Sequence, residues 1–239
     1  MSISRYGFEF NGHHSSEFEM RVLNNKAVTF PTKNKVTVTV PYRHGVIDLS
    51  NVYGDSTFGE RTITFSCIIP YGYVNSEELY TRWTQIVNWL MSTPTKAMLR
   101  DDVMSSYYYL GEVQAAPTLT EGSTQSTFTV VFQCDPFRYH PANNDVWDTF
   151  DFELDYAQET GFKVSGNKRQ VLLFNIGVSD TNLAITTTND VKVKINDGPF
   201  RTVKVGTLDS PETKLVPGKN TIEVSGNAEV EFSWVDEVI

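Results

Sequence analysis

Short segments in which apolar and polar residues alternate dominate the first 140 residues of the chain. A period of two is typical of β-strands that have one buried and one exposed face. The alternation predicts strands in six segments: RYGFEFNG, NKVTVTVP, ERTITFSCIIP, KAMLRDD, SYYYLGEV and QSTFTVVFQC. This part of the chain is therefore predicted to be mostly antiparallel sheet.

One segment between the third and fourth strands has the period of an α-helix instead. Apolar residues of NSEELYTRWTQIVNWLMSTP fall on one face at Leu79, Trp83, Ile86, Val87 and Leu90. Asn75 followed by Glu78 predicts a capping box, and Pro94 is expected to end the helix. One helix on a mostly antiparallel sheet predicts an α+β domain, with this face as its packing surface.

After Pro141 the helical pattern disappears and strand patterns recur every 8 to 12 residues or so, which is typical of a β-sandwich. The strands are predicted in VWDTFDFELDY, RQVLLFNIG, LAITTT, VKVKIN, FRTVKV, TKLVPG, NTIEVSG and AEVEFSWV. Turn residues at Asn196-Asp197-Gly198 and at 217–220 support this spacing.

The two patterns meet at Asp135-Pro136. Proline cannot donate a ladder hydrogen bond, so the strand TFTVVFQC should end there. We expect a linker over residues 137–146 and two domains, 1–140 and 141–239. The residues expected to form the joint between these domains are Cys134, Asp135, Pro136, Phe137 and Tyr139.

Charge and composition narrow the function. The 239-residue chain has a net charge of −9, with 11 Lys and Arg against 13 Asp and Glu up to Tyr139, and 9 against 16 after it. An acidic protein without a basic cluster is a poor candidate for stable nucleic-acid binding. No apolar run is long enough for a membrane span or for a signal peptide. Cys67 and Cys134 lie in strand patterns, which favours buried thiols and synthesis in a reducing cytoplasm, although a disulfide between them stays open.

No segment has the pattern of an active site or a metal site. His13-His14 lacks the spacing of zinc ligands, and Cys134 with His140 is better interpreted as a packed strand residue beside a linker residue. The common nucleophile, phosphate-loop and zinc-helix motifs are absent from the sequence. We expect a protein that is not an enzyme and that needs no cofactor or metal.

Two further clusters invite binding functions. Asp151, Glu153 and Asp155 share one side of a predicted strand whose other side is apolar, so a solvated face is favoured over a cation site. Aromatic residues could stack on sugar rings, and the candidates are Tyr107, Tyr108, Tyr109, Trp147 and Trp234. Glycan binding therefore stays open as the alternative function.

The order of several segments resembles the distal tail protein (Dit) family of long-tailed phages that infect Gram-positive bacteria. These segments are FEFNGHHSSEFEMRV, PYRHGVIDLSNVYGDSTFGERTITFSC, TRWTQIVNWLMS, SYYYLGEV and TFTVVFQCDPFRYH. The stretch from Gly45 through Tyr53-Gly54 to Arg61 and the closing D-P-F-x-Y are the most diagnostic. The resemblance covers roughly residues 1 to 140, and LVPGKNTIEVSG looks like a late hairpin of the family's C-terminal domain.

This resemblance implies a mainly β protein with a ring-forming belt domain, a β-sandwich or barrel-like sheet with one helix, followed by a galectin-like β-sandwich. It also implies a homo-hexamer in the virion, at the distal end of the tail, after assembly in the host cytoplasm. The implied partners are the major tail or tube protein, the tail-associated protein, and receptor-binding or baseplate proteins. The family is structural, so no catalytic residue is implied.

Overall fold

A computed structural model describes residues 6–50, 52, 57–70, 76–122, 125–141, 158–166 and 168–239. The chain divides into two compact units, residues 1–138 (unit 1) and 139–239 (unit 2). Strands make up most of the regular structure in both units, as the alternating pattern predicts.

Unit 1 contains one α-helix in its described residues, α1 (Ser76–Met91), and two 3-10 turns at Ser15–Phe18 and Asp102–Met104. Its strands are β1 (Phe8–Phe10), β2 (His13–His14), β3 (Arg21–Val22), β4 (Ala27–Val28), β5 (Thr37–Thr39), β6 (Val46–Asp48), β7 (Arg61–Pro70), β8 (Ala97–Asp101), β9 (Tyr108–Glu112) and β10 (Gln125–Cys134). Each of the six predicted strand segments contains a strand. The helix ends before Pro94, as predicted, whereas the expected cap Asn75 lies outside the described residues.

The sheet of unit 1 is built on the antiparallel pair β7 and β10. They pair without interruption from Gln125 opposite Pro70 to Cys134 opposite Arg61. The strand order is β2-β1-β8-β9-β10-β7-β3, with β4 also on β7, and β5 and β6 form a separate two-stranded sheet. Alternation decides which side is buried: Val130 and Phe132 are in the core, whereas Thr129 and Val131 are exposed.

The boundary between the units falls within β11 (Arg138–Pro141). Arg138 is the last residue of unit 1, and Tyr139 is the first residue of unit 2. The other strands are β12 (Gly161–Ser165), β13 (Arg169–Asn175), β14 (Thr181–Asn182), β15 (Ala184–Thr187), β16 (Val191–Ile195), β17 (Arg201–Val203), β18 (Gly206–Leu208), β19 (Lys214–Leu215), β20 (Gly218–Ser233) and β21 (Val235–Val238). The predicted strand VWDTFDFELDY, with its acidic side chains, lies outside the described residues. The hairpin turn at Asn196 is confirmed by its φ of 50° and by a bond from Gly198 N to Ile195 O of 3.0 Å.

The long strand β20 organises unit 2. Its first half lies between β13 and β16, and its second half lies between β12 and β15. The sequence predicted two strands here, NTIEVSG and AEVEFSWV, but the chain does not break between them. Gly226 has a φ of 145°, and a Cβ there would lie 3.0 Å from Val191 Cγ1. Glycine lets the strand change partners at this point without a turn.

Candidate assembly surface

The least buried part of unit 1 is an extension that we call the arm, the described residues between Thr29 and Gly59. Its two sides are joined by main-chain hydrogen bonds from Asn34 N to Thr57 O (2.9 Å) and from Gly59 N to Thr32 O (2.8 Å). Farther out, β5 pairs with β6. The sequence predicted a strand at NKVTVTVP, and β5 confirms it.

No residue from 29 to 50 is buried. Large apolar side chains of the arm are nevertheless exposed: Phe30, Val36, Val38, Tyr42, Val46, Leu49 and Val52. A two-stranded hairpin without a core is marginally stable in water at best. Contiguous exposed apolar surface on a soluble protein marks an interaction site. The arm is therefore the candidate surface for assembly.

The tip of the arm is held in a strained turn. Tyr42 has a φ of 64°, a left-handed conformation that bulky side chains rarely adopt, and Arg43 N donates to Val40 O at 3.2 Å. Glycine would take this position at no steric cost. Such strain clusters at functional sites, and here it presents a fully exposed phenol at the tip.

An ion pair also joins the two sides of the arm, at the end of the β5–β6 hairpin away from the tip. Lys35 Nζ contacts Asp48, and Ser50 N donates to Asp48 Oδ1 at 3.0 Å. The hydrogen bond from Lys35 is the main cause that lowers the pKa of the Asp48 carboxyl, with further contributions from Ser50. The carboxylate is therefore charged at neutral pH and links β6 to Lys35, two residues before β5.

Arg61 anchors the base of the arm. Its side chain is buried, and its Nε donates to Thr29 O at 3.0 Å while Nη1 donates to Pro136 O at 3.3 Å. The guanidinium lies over the rings of Phe30 (5.5 Å) and Tyr109 (5.3 Å). Burial lowers the pKa of Arg61, but the group stays charged at neutral pH. One side chain thus ties the arm to the end of unit 1, a role that no pattern in the sequence assigned to Arg61.

The predicted joint residues make the following contacts. Cys134 is buried at the end of β10, and Asp135 accepts a bond from Lys96 Nζ at 2.6 Å. Pro136 accepts from Arg61, and Phe137 packs edge-to-face on Phe58 with ring centroids 5.7 Å apart.

Beyond these contacts the predicted linker, residues 137–146, is wrong for residues 138–141. They form β11, which pairs with β21, and Tyr139 and His140 lie within it. Pro136 ends one strand, but the aromatic residues that follow favour another. Residues 142–146 lie outside the described residues.

The five residues predicted to form the packing face of the helix differ in how deeply they are buried. Leu79, Ile86 and Leu90 are buried in the core of unit 1, and Trp83 is partly buried against it. Val87 is half-exposed, and the described core contains Trp89 instead. Trp89 lies three residues after Ile86 and ten after Leu79, so the helical period could have identified it.

The cysteine chemistry left open by the sequence is excluded. Both thiols are free and buried. Cys67 lies opposite Phe128 and Cys134 opposite Arg61, so about 20 Å of strand separates them. Burial raises the pKa of each thiol to about 12, which leaves neither as a thiolate at neutral pH.

The two adjacent histidines have a structural role in the first 3-10 turn. His14 Nδ1 accepts from Ser16 N at 3.2 Å and lies 2.7 Å from Ser16 Oγ, while its Nε2 lies 3.2 Å from Asp102. These are the residue types of a hydrolase triad. Here, however, the imidazole caps the turn in a capping box with Glu17, so its Nδ1 is occupied by the backbone.

Most of the aromatic residues that were candidates for stacking on sugar rings are buried or covered. Tyr107 and Trp234 are buried, and Trp234 Nε1 donates to Asp236 at 3.0 Å. Tyr109 is covered by Arg61, Tyr108 is half-buried, and Trp147 lies outside the described residues.

The described residues contain neither a metal-binding cluster nor a membrane-spanning helix. Those residues include no group of three or more His, Cys, Asp and Glu side chains placed to hold a metal ion. In the same part of the chain, no helix has the length and apolar character needed to cross a bilayer.

Comparison with known proteins gives a fold for the whole chain. No protein-family model and no curated protein matches the sequence. Among solved structures, the chain is similar to the Dit protein of phage SPP1, a hub of the adsorption apparatus of phages that infect Gram-positive bacteria. The TM-score is 0.67 and the identity 14%, over 98% of this chain and 99% of that one.

A chain of the phage P2 baseplate, in its activated conformation with Ca, is similar at a TM-score of 0.46 and 11% identity, over 94% and 92% of the two chains. That score is too low to define a common fold. The SPP1 comparison covers both units. Over its whole length, therefore, the chain has the fold of a phage distal tail protein.

Proposed function

We propose that this chain is a structural, non-enzymatic hub of a phage tail tip. In this role six copies form a ring at the distal end of the tail in the virion. The ring joins the tail tube protein to the tail-associated protein and offers docking sites to receptor-binding or baseplate proteins. The observation that carries the proposal is the similarity to SPP1 Dit, which spans both units rather than one.

The arm supports assembly through unit 1. A ring needs a heterologous contact, in which one patch of a subunit binds a different patch of the next. An extension that is apolar, exposed and strained at its tip is suited to reach a neighbouring copy. Unit 1 is thus the proposed belt domain, and unit 2 is its proposed galectin-like partner domain, with surface for the docking proteins.

Glycan binding receives little support as a second function. Trp234 and Tyr107, which the sequence offered as stacking platforms, are buried, and Tyr109 is covered by Arg61. We expect the purified protein to give no specific signal on a glycan array. A signal that an excess of the free sugar removes would restore the alternative.

The experiment is native mass spectrometry of the purified full chain, with electron-microscopy class averages of the same sample. We expect six copies of the 27.0 kDa chain and a six-fold ring. A monomer at all concentrations that can be reached would refute the proposal.

A matched pair of variants tests the arm. Val38 on the arm and Leu172 in unit 2 are equally exposed, at 43% each, so lysine at either position should leave the fold intact. We expect Val38→Lys to reduce the ring to smaller species, because a charge would be desolvated in the contact. Leu172→Lys should leave the ring unchanged. A ring that forms equally well in both variants would exclude the arm from the contact.

A further inference from the structure

Strand β10 is paired completely on one side and incompletely on the other. On the β7 side every residue has a partner. On the opposite side, β9 pairs only with Gln133 and Cys134, and a single bridge joins Thr127 to Thr120. The middle of a central strand therefore has an open edge within the described structure.

The hydrogen-bonding direction shows which groups are open. Thr127 N and O both bond to Thr120 at 2.8 Å, and Asp135 N bonds to Leu110 O on the same side. In an antiparallel strand, alternate residues direct both main-chain groups to the same side. Thr129 and Val131 therefore direct their N–H and C=O groups to this side, where no strand of the described residues pairs with them.

The path of the chain explains the opening. From Glu112 to Thr120 the chain advances eight residues, while β10 advances six between the partners Gln133 and Thr127. The two extra residues make this segment bow away from β10, and Pro117 within it has no N–H to donate. A cavity of about 680 Å³, which we call the slot, is lined by this segment and by β10, and it extends past β10 to Leu23 and to Ser66 and Cys67 of β7. None of the described residues that line it is charged at neutral pH.

The arm has a matching open edge on β5. Leu49 N donates to Val36 O at 2.8 Å, so Val36 and Val38 direct their main-chain groups toward β6. Thr37 and Thr39 direct theirs outward, where the described structure has no strand. Residues 36–40, VTVTV, are uncharged and β-branched, as an uncharged slot requires. On each edge, two residues that lie two positions apart thus have main-chain groups that no strand of the described structure pairs with.

We propose that β5 of one copy enters the slot of the next copy and pairs antiparallel to β10, with Thr37 opposite Val131 and Thr39 opposite Thr129. Each facing pair then exchanges two main-chain hydrogen bonds. The uncharged walls and the uncharged strand meet without desolvating a charge. Because arm and slot are different patches of one subunit, the contact repeats around a ring. This inference rests on the proposed ring function and specifies its contact.

Engineered disulfides test the pairing directly. Thr39 and Thr129 are exposed, so Thr39→Cys and Thr129→Cys should not disturb folding, and the native thiols are buried. Facing residues of such a pair have Cα atoms about 5.5 Å apart, within the range of a disulfide. A mixture of the two single variants, oxidised with copper phenanthroline, should give a covalent dimer on a non-reducing gel. The double variant should give a ladder up to the closed ring.

The control replaces Thr129→Cys with Gln85→Cys, which is also exposed and lies on α1 in the same unit, and should give no covalent dimer. A ring in native mass spectrometry without a covalent dimer in the mixture would overturn the pairing and leave the hub function standing. A cross-link within single copies of the double variant, with none in the mixture, would also overturn it. The absence of any ring would refute the hub function itself.

Discussion

Replacing Trp89 with phenylalanine should lower the stability of unit 1 more than the same change at Trp83. Trp89 is 6% exposed and packs between Phe18, with ring centroids 4.3 Å apart, and Phe8, at 5.7 Å. Its Nε1 donates to Phe10 O at 3.0 Å. One side chain of α1 thus joins the helix, β1 and the first 3-10 turn.

The expected magnitude follows from these contacts. The lost hydrogen bond contributes about 0.5 to 1.5 kcal/mol. The smaller ring leaves about 40 Å³ of space, which costs about 1 kcal/mol at about 24 cal/mol per Å³. Trp89→Phe should therefore destabilise unit 1 by about 2 kcal/mol. Trp83 is only partly buried, so Trp83→Phe should cost less than about 1 kcal/mol.

Calorimetry on both variants provides the measurement. The transition of unit 1 should fall by roughly 4 to 8 °C for Trp89→Phe and by less than half of that for Trp83→Phe. The transition of unit 2 should not move in either variant, because neither residue belongs to its core. Equal losses, or a larger loss at Trp83, would refute the assignment of Trp89 as the main packing residue of the helix.

Three further predictions concern acidity, thiols and a close contact. Below about pH 4 the β5–β6 hairpin should loosen, because the lowered pKa of Asp48 contributes stability that is present above its ordinary value of 3.8 and lost as the pH falls below it. Amide exchange should detect this, and Asp48→Asn should reproduce it at pH 7. Cys67 and Cys134 should resist a thiol reagent at pH 8 until the chain unfolds. The free energy of unfolding should decline from about pH 9 upward, because the raised pKa values of the two folded thiols let them ionise there only in the unfolded chain. Free reactivity in the folded protein would contradict their burial. Gly111→Ala should cost about 1 to 3 kcal/mol, because its Cβ would lie 2.6 Å from Cys134 Sγ. Adding Cys134→Ala should recover part of that loss, and strictly additive losses would show that the two sites do not interact.

Local patterns located most of the long strands, the helix and the end of β10, but they missed β12 and short strands such as β2 and β14. Alternation located the strands, because successive side chains of a strand point to opposite faces whatever lies beside them. Asp135-Pro136 ended β10, since proline lacks the donor that the ladder needs. The same local rules placed the helix and the turn at Asn196, although the packing face came out with Val87 in place of Trp89.

Long-range contacts were beyond these patterns. The segment NKVTVTVP alternates like a strand with a buried face, yet no residue from 29 to 50 is buried, because alternation does not say which surface will cover the apolar side. The sequence does not show that Gly226 lies inside one long strand rather than between two. The continuity of β20 depends on four partner strands from elsewhere in the chain.

The sequence by itself determined most of the long strands, the helix, the end of β10 before Pro136 and an acidic balance that disfavours nucleic acid, because these follow from neighbouring residues and from composition. Only the tertiary structure decided that Arg61 is buried between Thr29 and Pro136, that the arm is exposed, and that Thr129 and Val131 have an open edge. Each of these features depends on contacts between residues that are far apart in the chain. Such contacts decide whether an apolar face is covered and whether a strand edge is paired.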